Sequence, residues 1–106
     1  PKVVECAWSR AGGPSVTLQF FDRKAIDANP VTHTVDGYFE LIVSAAEEAV
    51  GKKREPVAGM PSRAAFVQGQ TQLLLVVQRV DGVARILLGG VTRPQGAALA
   101  RVIVGA

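Results

Sequence analysis

The chain has 106 residues, a length that suits one domain with one core, and we predict a single globular domain over residues 1–106. Hydrophobic residues make up 48% of the chain and charged residues 20%, a balance that argues against a disordered protein. The longest apolar run of the central hairpin, residues 73–77, is far shorter than the ~20 residues of a membrane helix, so we expect no membrane insertion.

Cysteine usage and the first residues leave the cellular compartment open. Cys6 is the only cysteine, which excludes an intramolecular disulfide and a metal site built from several cysteines. Residues 1–5 lack the charged and then apolar pattern of a signal peptide. An exported protein, a trimmed chain and simple methionine removal are all compatible with a sequence that starts at Pro1.

Two alternating stretches predict an N-terminal β-hairpin. Residues 3–8 and 16–20 each alternate apolar and other side chains around a Gly-Gly-Pro loop. We expect the apolar face of this hairpin to meet the core through Trp8 and Phe20. Residues 23–34, which contain the turn-favouring pair Asn29-Pro30, are predicted to form a connecting loop.

A helical period begins at residue 35. Apolar residues recur at three- and four-residue spacing, at Val35, Phe39, Ile42, Ala46 and Ala49. Thr34 or Asp36 suits the N-terminal cap, and Gly51 suits the C-terminal cap. The pattern predicts an amphipathic helix over residues 35–50.

The next part of the chain predicts strands. Two prolines and a glycine within residues 55–61 predict a kinked strand entry, and residues 62–68 predict a strand that ends at a tight turn. Residues 72–88 predict a long hairpin with a type I′ turn at Asp81-Gly82, where both φ angles are positive. That turn pairs Val77 with Ile86 and Gln78 with Arg85, and both faces of the hairpin are apolar away from the turn.

The last element completes the predicted fold. Thr92 is predicted to cap a C-terminal helix whose apolar stripe contains Leu99, Val102 and Ile103. The resulting order is ββαβββα, which predicts an α+β fold with an antiparallel sheet of about five strands and helices packed on it.

The second face of the hairpin predicts an interface. If both helices cover one face, the other exposes apolar side chains that include Leu75, Val77, Ile86 and Leu88. Such a patch, of roughly several hundred Å², is larger than soluble monomers usually expose. Either the C-terminal helix crosses to that face or a second copy of the chain covers it. We expect a homodimer, because the last helix offers a thin cover.

The sequence offers few groups for chemistry. His33 is the only histidine and lies in the predicted loop. A catalytic triad could be built only around it, no partner is placed near it by spacing, and a metal site with several histidines is excluded. We expect no catalytic residues, no metal and no cofactor. The alternative hypothesis is a small-ligand or enzyme site around residues 22–34 that uses His33, Asp22 and Arg23. Most aromatic residues occupy predicted core positions, which argues against a nucleic-acid partner.

Residues 57–66, Val-Ala-Gly-Met-Pro-Ser-Arg-Ala-Ala-Phe, follow the long helix and lead into the central strands. Together with the element order, they resemble PsbP-like domains over residues 35–104; the same order also fits profilin-like and roadblock-like sheets. The PsbP-like resemblance implies a small, non-enzymatic and often exported domain that binds or assembles with proteins. We therefore expect a protein-binding or assembly domain of a bacterial envelope or secretion protein, with a protein partner still to be identified.

Overall fold

The computed structural model describes residues 3–9, 13–57 and 59–105, and gives only the backbone of residues 3–6, 8–9, 61–62 and 105. The strands are β1 (Val3–Ser9), β2 (Ser15–Asp22), β3 (Glu55–Val57), β4 (Met60–Gln68), β5 (Leu73–Arg79) and β6 (Gly82–Gly89). The helices are α1 (Arg23–Asp27), α2 (Val35–Val50) and α3 (Arg93–Gly105). The six strands form one antiparallel sheet in the order β1-β2-β6-β5-β4-β3.

The predicted α+β class, with helices packed on an antiparallel sheet, is confirmed. Within the described residues, the sheet has six strands where about five were predicted, and the additional strand is β3 at one edge. β3 is short and pairs with β4, with a shift in register after Pro56. β3 lies in the segment for which the sequence predicted a kinked strand entry. Its proline has no N–H to donate, which an edge strand tolerates because no further strand pairs with its outer side.

The two long helices lie on opposite faces of the sheet. α2 packs on the face that presents Leu74, Val76 and Val83, which we call the α2 face. α3 packs on the other, the α3 face, against a buried cluster that includes Phe66 and Leu73. Because side chains alternate between the two faces of a strand, the apolar run of β5 contributes to the hydrophobic clusters on both the α2 face and the α3 face.

This arrangement corrects the predicted interface. Leu75, Val77 and Ile86 are 0% exposed and Leu88 is 1% exposed, all within the cluster beneath α3. The C-terminal helix therefore crosses to the second face, which is the other alternative that the sequence left open. These four side chains belong to the core of the chain and are not an exposed surface for a second copy.

α3 is held against the sheet along its length. Its buried Gly96 allows close packing, since an added Cβ would lie 2.9 Å from Cε1 of Phe66. At the C-terminal end, Arg79 Nη1 donates to the carbonyl oxygen of Ile103 at 2.7 Å. A guanidinium at this position satisfies a free carbonyl and complements the helix dipole.

The N-terminus of α3 is fixed by a capping box and an ion pair. The Thr92 hydroxyl accepts from the Gln95 N–H at 3.3 Å, and the Gln95 side chain accepts from the Thr92 N–H at 3.0 Å. Arg93 forms an ion pair with Glu55 of β3 and donates to Gln68 of β4 at 3.2 Å. The predicted cap at Thr92 is confirmed.

α2 has the bounds that the sequence predicted. The Thr34 hydroxyl accepts from the Gly37 N–H at 2.9 Å, and Gly51 ends the helix in the left-handed region with φ of 72°. Its C-terminal half is tied to the segment before β3, because Arg54 donates to Glu47 through its backbone N–H at 2.7 Å and its Nη2 at 3.0 Å. A second ion pair joins Arg54 to Glu40.

The Glu47–Arg54 contact predicts acid sensitivity. Hydrogen bonds from the Arg54 side chain and backbone lower the pKa of Glu47 below its ordinary value of 4.5. A depressed carboxylate pKa in the folded state stabilises fully above the unfolded value, and this stabilisation is lost as pH falls through the folded value. As the pH is lowered below 4.5, the free energy of unfolding measured with urea should therefore fall less for Glu47→Gln than for wild type. Glu48→Gln, at an exposed neighbouring position, is the control and should keep the wild-type profile; identical profiles for all three proteins would contradict the prediction.

The β5–β6 hairpin corrects the predicted register. Its turn is Val80-Asp81, between paired Arg79 and Gly82, and Val77 faces Ala84 rather than Ile86. Among the described residues, positive φ angles occur only at three glycines, none of them in this turn, so it is not type I′. Each β5 residue pairs two positions away from the predicted partner. Since the side-chain period of a strand is two, every side chain keeps its predicted face.

Gly82 has a different role from the predicted one. It belongs to β6 and pairs with Asp22 of β2, where an added Cβ would collide with the backbone oxygen of Phe21. The glycine therefore permits a close approach of two strands rather than a positive φ. Asp81 accepts from Arg79 Nε at 2.8 Å, and this contact lowers the pKa of the Asp81 carboxyl.

Candidate functional site: a groove beside helix α2

The residues of the predicted loop site support the fold around α1. Part of the predicted loop is helical. Asp22 Oδ1 accepts from the Ala25 N–H at 2.9 Å and caps α1. Ile26 of α1 is buried in the hydrophobic cluster on the α2 face. Arg23 forms an exposed ion pair with Asp27 at 3.2 Å.

His33 is exposed, and its Nδ1 lies 3.0 Å from the backbone oxygen of Asp27. None of Asp22, Arg23 and His33 lines the cavities described below. The structure does not bring these side chains together around a concave surface, so the loop hypothesis gains no geometric support.

Two adjoining cavities follow the C-terminal half of α2 on the α2 face. The first, of about 220 Å³, lies between the end of the helix and the β4–β5 turn. The second, of about 440 Å³, lies between the helix and β2. Both are lined by Ala46, Ala49 and Arg85, so the two cavities adjoin, and we call them together the α2 groove.

The walls of the α2 groove come from three parts of the chain. The helix contributes small and aliphatic side chains: Ile42, Ala45, Ala46, Ala49 and Val50. The sheet contributes an apolar floor with two polar positions: Phe21, Val67, Leu74, Leu87, Gln19 and Arg85. The β4–β5 turn closes one end with neutral residues: Gly69, Gln70, Thr71 and Gln72. The groove is largely apolar, with Gln19 and Arg85 as polar positions on its floor and amide side chains at one end.

Arg85 is the charged residue of this surface. It is half-buried in the middle of β6, and its Nη1 donates to Gln19 Oε1 at 3.2 Å. Among the described side chains, no carboxylate lies within ion-pair distance of its guanidinium. The register places Glu5 two strands away, beyond Gln19, a backbone separation of about 10 Å.

A larger depression, of about 770 Å³, lies on the opposite side of α2. Its charges pair with one another or with polar neighbours: Glu40 binds Arg54, and Asp36 accepts from Gln78. Of the charged residues there, Arg63 alone stands exposed with neither an ion pair nor a hydrogen bond to a described residue. Because most of these charged groups already bind each other or polar neighbours, they are less available to a ligand or partner than the groups of the α2 groove.

Sequence reasoning did not find the α2 groove. Its lining residues lie far apart in the chain, and the predicted register paired Arg85 with Gln78, whereas the structure pairs it with Gln19 and Val76. One signal was available: Arg85 is the only charged residue between Gly82 and Gly89, in an otherwise apolar strand.

Within the described ranges, no group of three or more His, Cys, Asp or Glu residues is arranged to hold a metal ion. Across the same residues, no helix has the length and apolarity needed to span a membrane. Of Trp8 only the backbone is described, so its predicted core position lies outside what the structure describes. Comparisons with protein families, curated proteins and solved structures find no match for this chain.

Proposed function

We propose that this chain is a non-enzymatic protein-binding or assembly domain and that an apolar segment of a partner protein occupies the α2 groove. The observation that carries the proposal is the groove itself, two adjoining and largely apolar depressions beside a helix whose rim residues Ala45 and Ala49 are exposed. Small rim side chains let another chain approach the apolar floor closely. An apolar centre with a polar rim is the usual anatomy of a protein–protein contact.

The open shape of the groove favours a protein segment over a small ligand. Small-molecule sites are clefts or cavities that bury most of the surface of their ligand. The two adjoining cavities beside α2 are both open to solvent along one side. An elongated open surface suits an extended or helical segment.

The finer parts of this proposal come from the sequence. The PsbP-like resemblance of residues 35–104 is the reason to place the domain in an exported, envelope or secretion-associated bacterial protein. Homodimerisation stays a prediction, to be decided by light scattering at high micromolar concentration. A dimer would have to use a surface other than Leu75, Val77, Ile86 and Leu88, because α3 covers them.

A charge placed on the groove rim should remove partner binding. Ala49 is an exposed helical position, so Ala49→Glu should fold normally while it projects a carboxylate over the apolar floor. Val102→Glu is the matched control: it adds the same charge at a 66% exposed position of α3, on the opposite face. The measurement is affinity capture from a native lysate with quantitative mass spectrometry, after circular dichroism has verified both folds.

The outcome is read from the difference between the two variants. We expect a set of proteins retained by wild type and by Val102→Glu and reduced at least about tenfold with Ala49→Glu. Equal capture by all three proteins, or equal loss with both variants, would show that the α2 groove is not the contact surface. Turnover of a small molecule with no protein captured would contradict the binding function itself.

A further inference from the structure

We propose that the partner segment carries an acidic side chain, Glu or Asp, that binds the guanidinium of Arg85 while neighbouring apolar side chains fill the α2 groove. This inference rests on the proposed function and names the chemistry of the partner. The first support is charge: of the described residues that line the groove, all except Arg85 are neutral. A bound partner would therefore meet a single positive charge.

Arg85 is prepared for a carboxylate by its contacts. Nη1 is engaged by Gln19 at 3.2 Å, whereas Nε and Nη2 donate to no group among the described residues. Nε and Nη2 lie on one edge of the guanidinium, the edge that a carboxylate binds through two parallel hydrogen bonds. The contact with Gln19 fixes the orientation of the group, which reduces the conformational entropy lost on binding.

The surroundings of Arg85 increase the value of such a contact. The guanidinium is half-buried and borders Leu87 and the alanines of α2, so its environment is less polarisable than bulk water. A partner that covers the groove would bury this cation, and burial of an unpaired charge is costly. A carboxylate in the partner removes that cost, which makes an acidic residue a requirement for tight binding rather than a small addition.

The same observations argue against a nucleic acid as the occupant. Nucleic-acid surfaces combine several cations along a track with exposed aromatic platforms. The groove has one cation, and its only aromatic side chain, Phe21, packs against Tyr38 with ring centroids 5.2 Å apart. A single guanidinium between apolar side chains matches one carboxylate flanked by aliphatic residues.

Two sets of blocked pentapeptides test the proposal. They differ only in a central Glu or Gln, and the flanking positions are mixtures of Ala, Val and Leu. Binding is measured from amide and Arg side-chain shifts of the full chain in NMR titrations. We expect the Glu set to shift groove resonances with about tenfold higher affinity than the Gln set on wild type. Arg85→Gln should abolish that preference, and Arg85→Lys should keep only part of it, since lysine retains the charge without the planar fork.

Arg63→Gln is the matched control, because it removes the same charge from an exposed position on the other side of α2. It should retain the preference for Glu. Equal affinity of both sets at the groove would overturn the acidic partner and leave the proposed function standing. No groove shifts with either set would overturn the acidic partner as well, and the Ala49→Glu capture experiment would then decide the proposed function separately. Persistence of the preference in Arg85→Gln would also contradict the proposal.

Discussion

Leu75→Glu should prevent the chain from folding. Leu75 is 0% exposed in the middle of β5, paired with Phe66 on one side and Ile86 on the other, and lies beneath α3. Loss of the leucine side chain costs about 2–5 kcal/mol, and an unpaired buried carboxylate costs several kcal/mol more. Together these costs are comparable to the total stability of a typical domain, about 5–15 kcal/mol.

The measurement is urea unfolding followed by circular dichroism, with Val80→Glu as the control. Val80 is 94% exposed in the β5–β6 turn, so the same carboxylate there should leave stability within about 0.5 kcal/mol of wild type. A folded Leu75→Glu protein with a changed oligomeric state would contradict the buried position. That result would instead favour the interface between copies that the sequence suggested.

Substitutions of Gly82 should separate the observed hairpin register from the predicted one. In the structure, a Cβ at Gly82 collides with the backbone oxygen of Phe21, so Gly82→Ala should cost about 1–3 kcal/mol. Gly82→Asn should cost more, because the larger side chain meets the same obstacle. In a type I′ turn with positive φ at this position, Asn would be the better tolerated of the two.

Gly59 is a comparison position at which a positive φ angle, and not the close approach of another strand, favours glycine. Its φ is 82°, and no described atom outside its chain neighbours lies within 4 Å of an added Cβ, so backbone conformation decides the effect there. Gly59→Ala should cost about 1 kcal/mol and Gly59→Asn less, since Asn tolerates the left-handed region. Thermal unfolding of the four variants gives the ranking. Better tolerance of Asn than of Ala at Gly82, as expected at Gly59, would contradict the register described above.

The sequence predicted what depends on local patterns. The bounds of α2 follow from its helical period, from Thr34 and from Gly51, and the structure confirms them. The Thr92 cap of α3 is likewise local. The face of each β5 side chain was right even though its partner was not, because a shift of two positions preserves alternation.

The missed features depend on contacts between distant parts of the chain. Gly82 has the composition of a turn, and only the approach of β2 shows that it is a strand residue. α1 was missed because a helix of this length has little intrinsic stability, and it forms where Asp22 caps it and Ile26 is buried. The side of the sheet on which α3 packs likewise depends on contacts between residues far apart in the chain, and the sequence left it open.

The candidate site was the least predictable part. A sequence argument searches for reactive residues close together, which led to His33, Asp22 and Arg23. The structure uses those residues around α1 and instead brings together β2, α2, the β4–β5 turn and β6. The surface is recognised by its shape and by one cation without a described carboxylate partner, Arg85, and neither property follows from local spacing.

Site-specific photo-crosslinking in cells that produce the protein tests the central claim, that the α2 groove is the protein contact surface. A photoreactive amino acid is placed at Ala45 or Ala49 on the groove rim and, as controls, at exposed Val80 and Val102. We predict that both groove positions give the same covalent protein adduct and that neither control does. Adducts from the controls alone, or the same adduct from all four positions, would contradict the account.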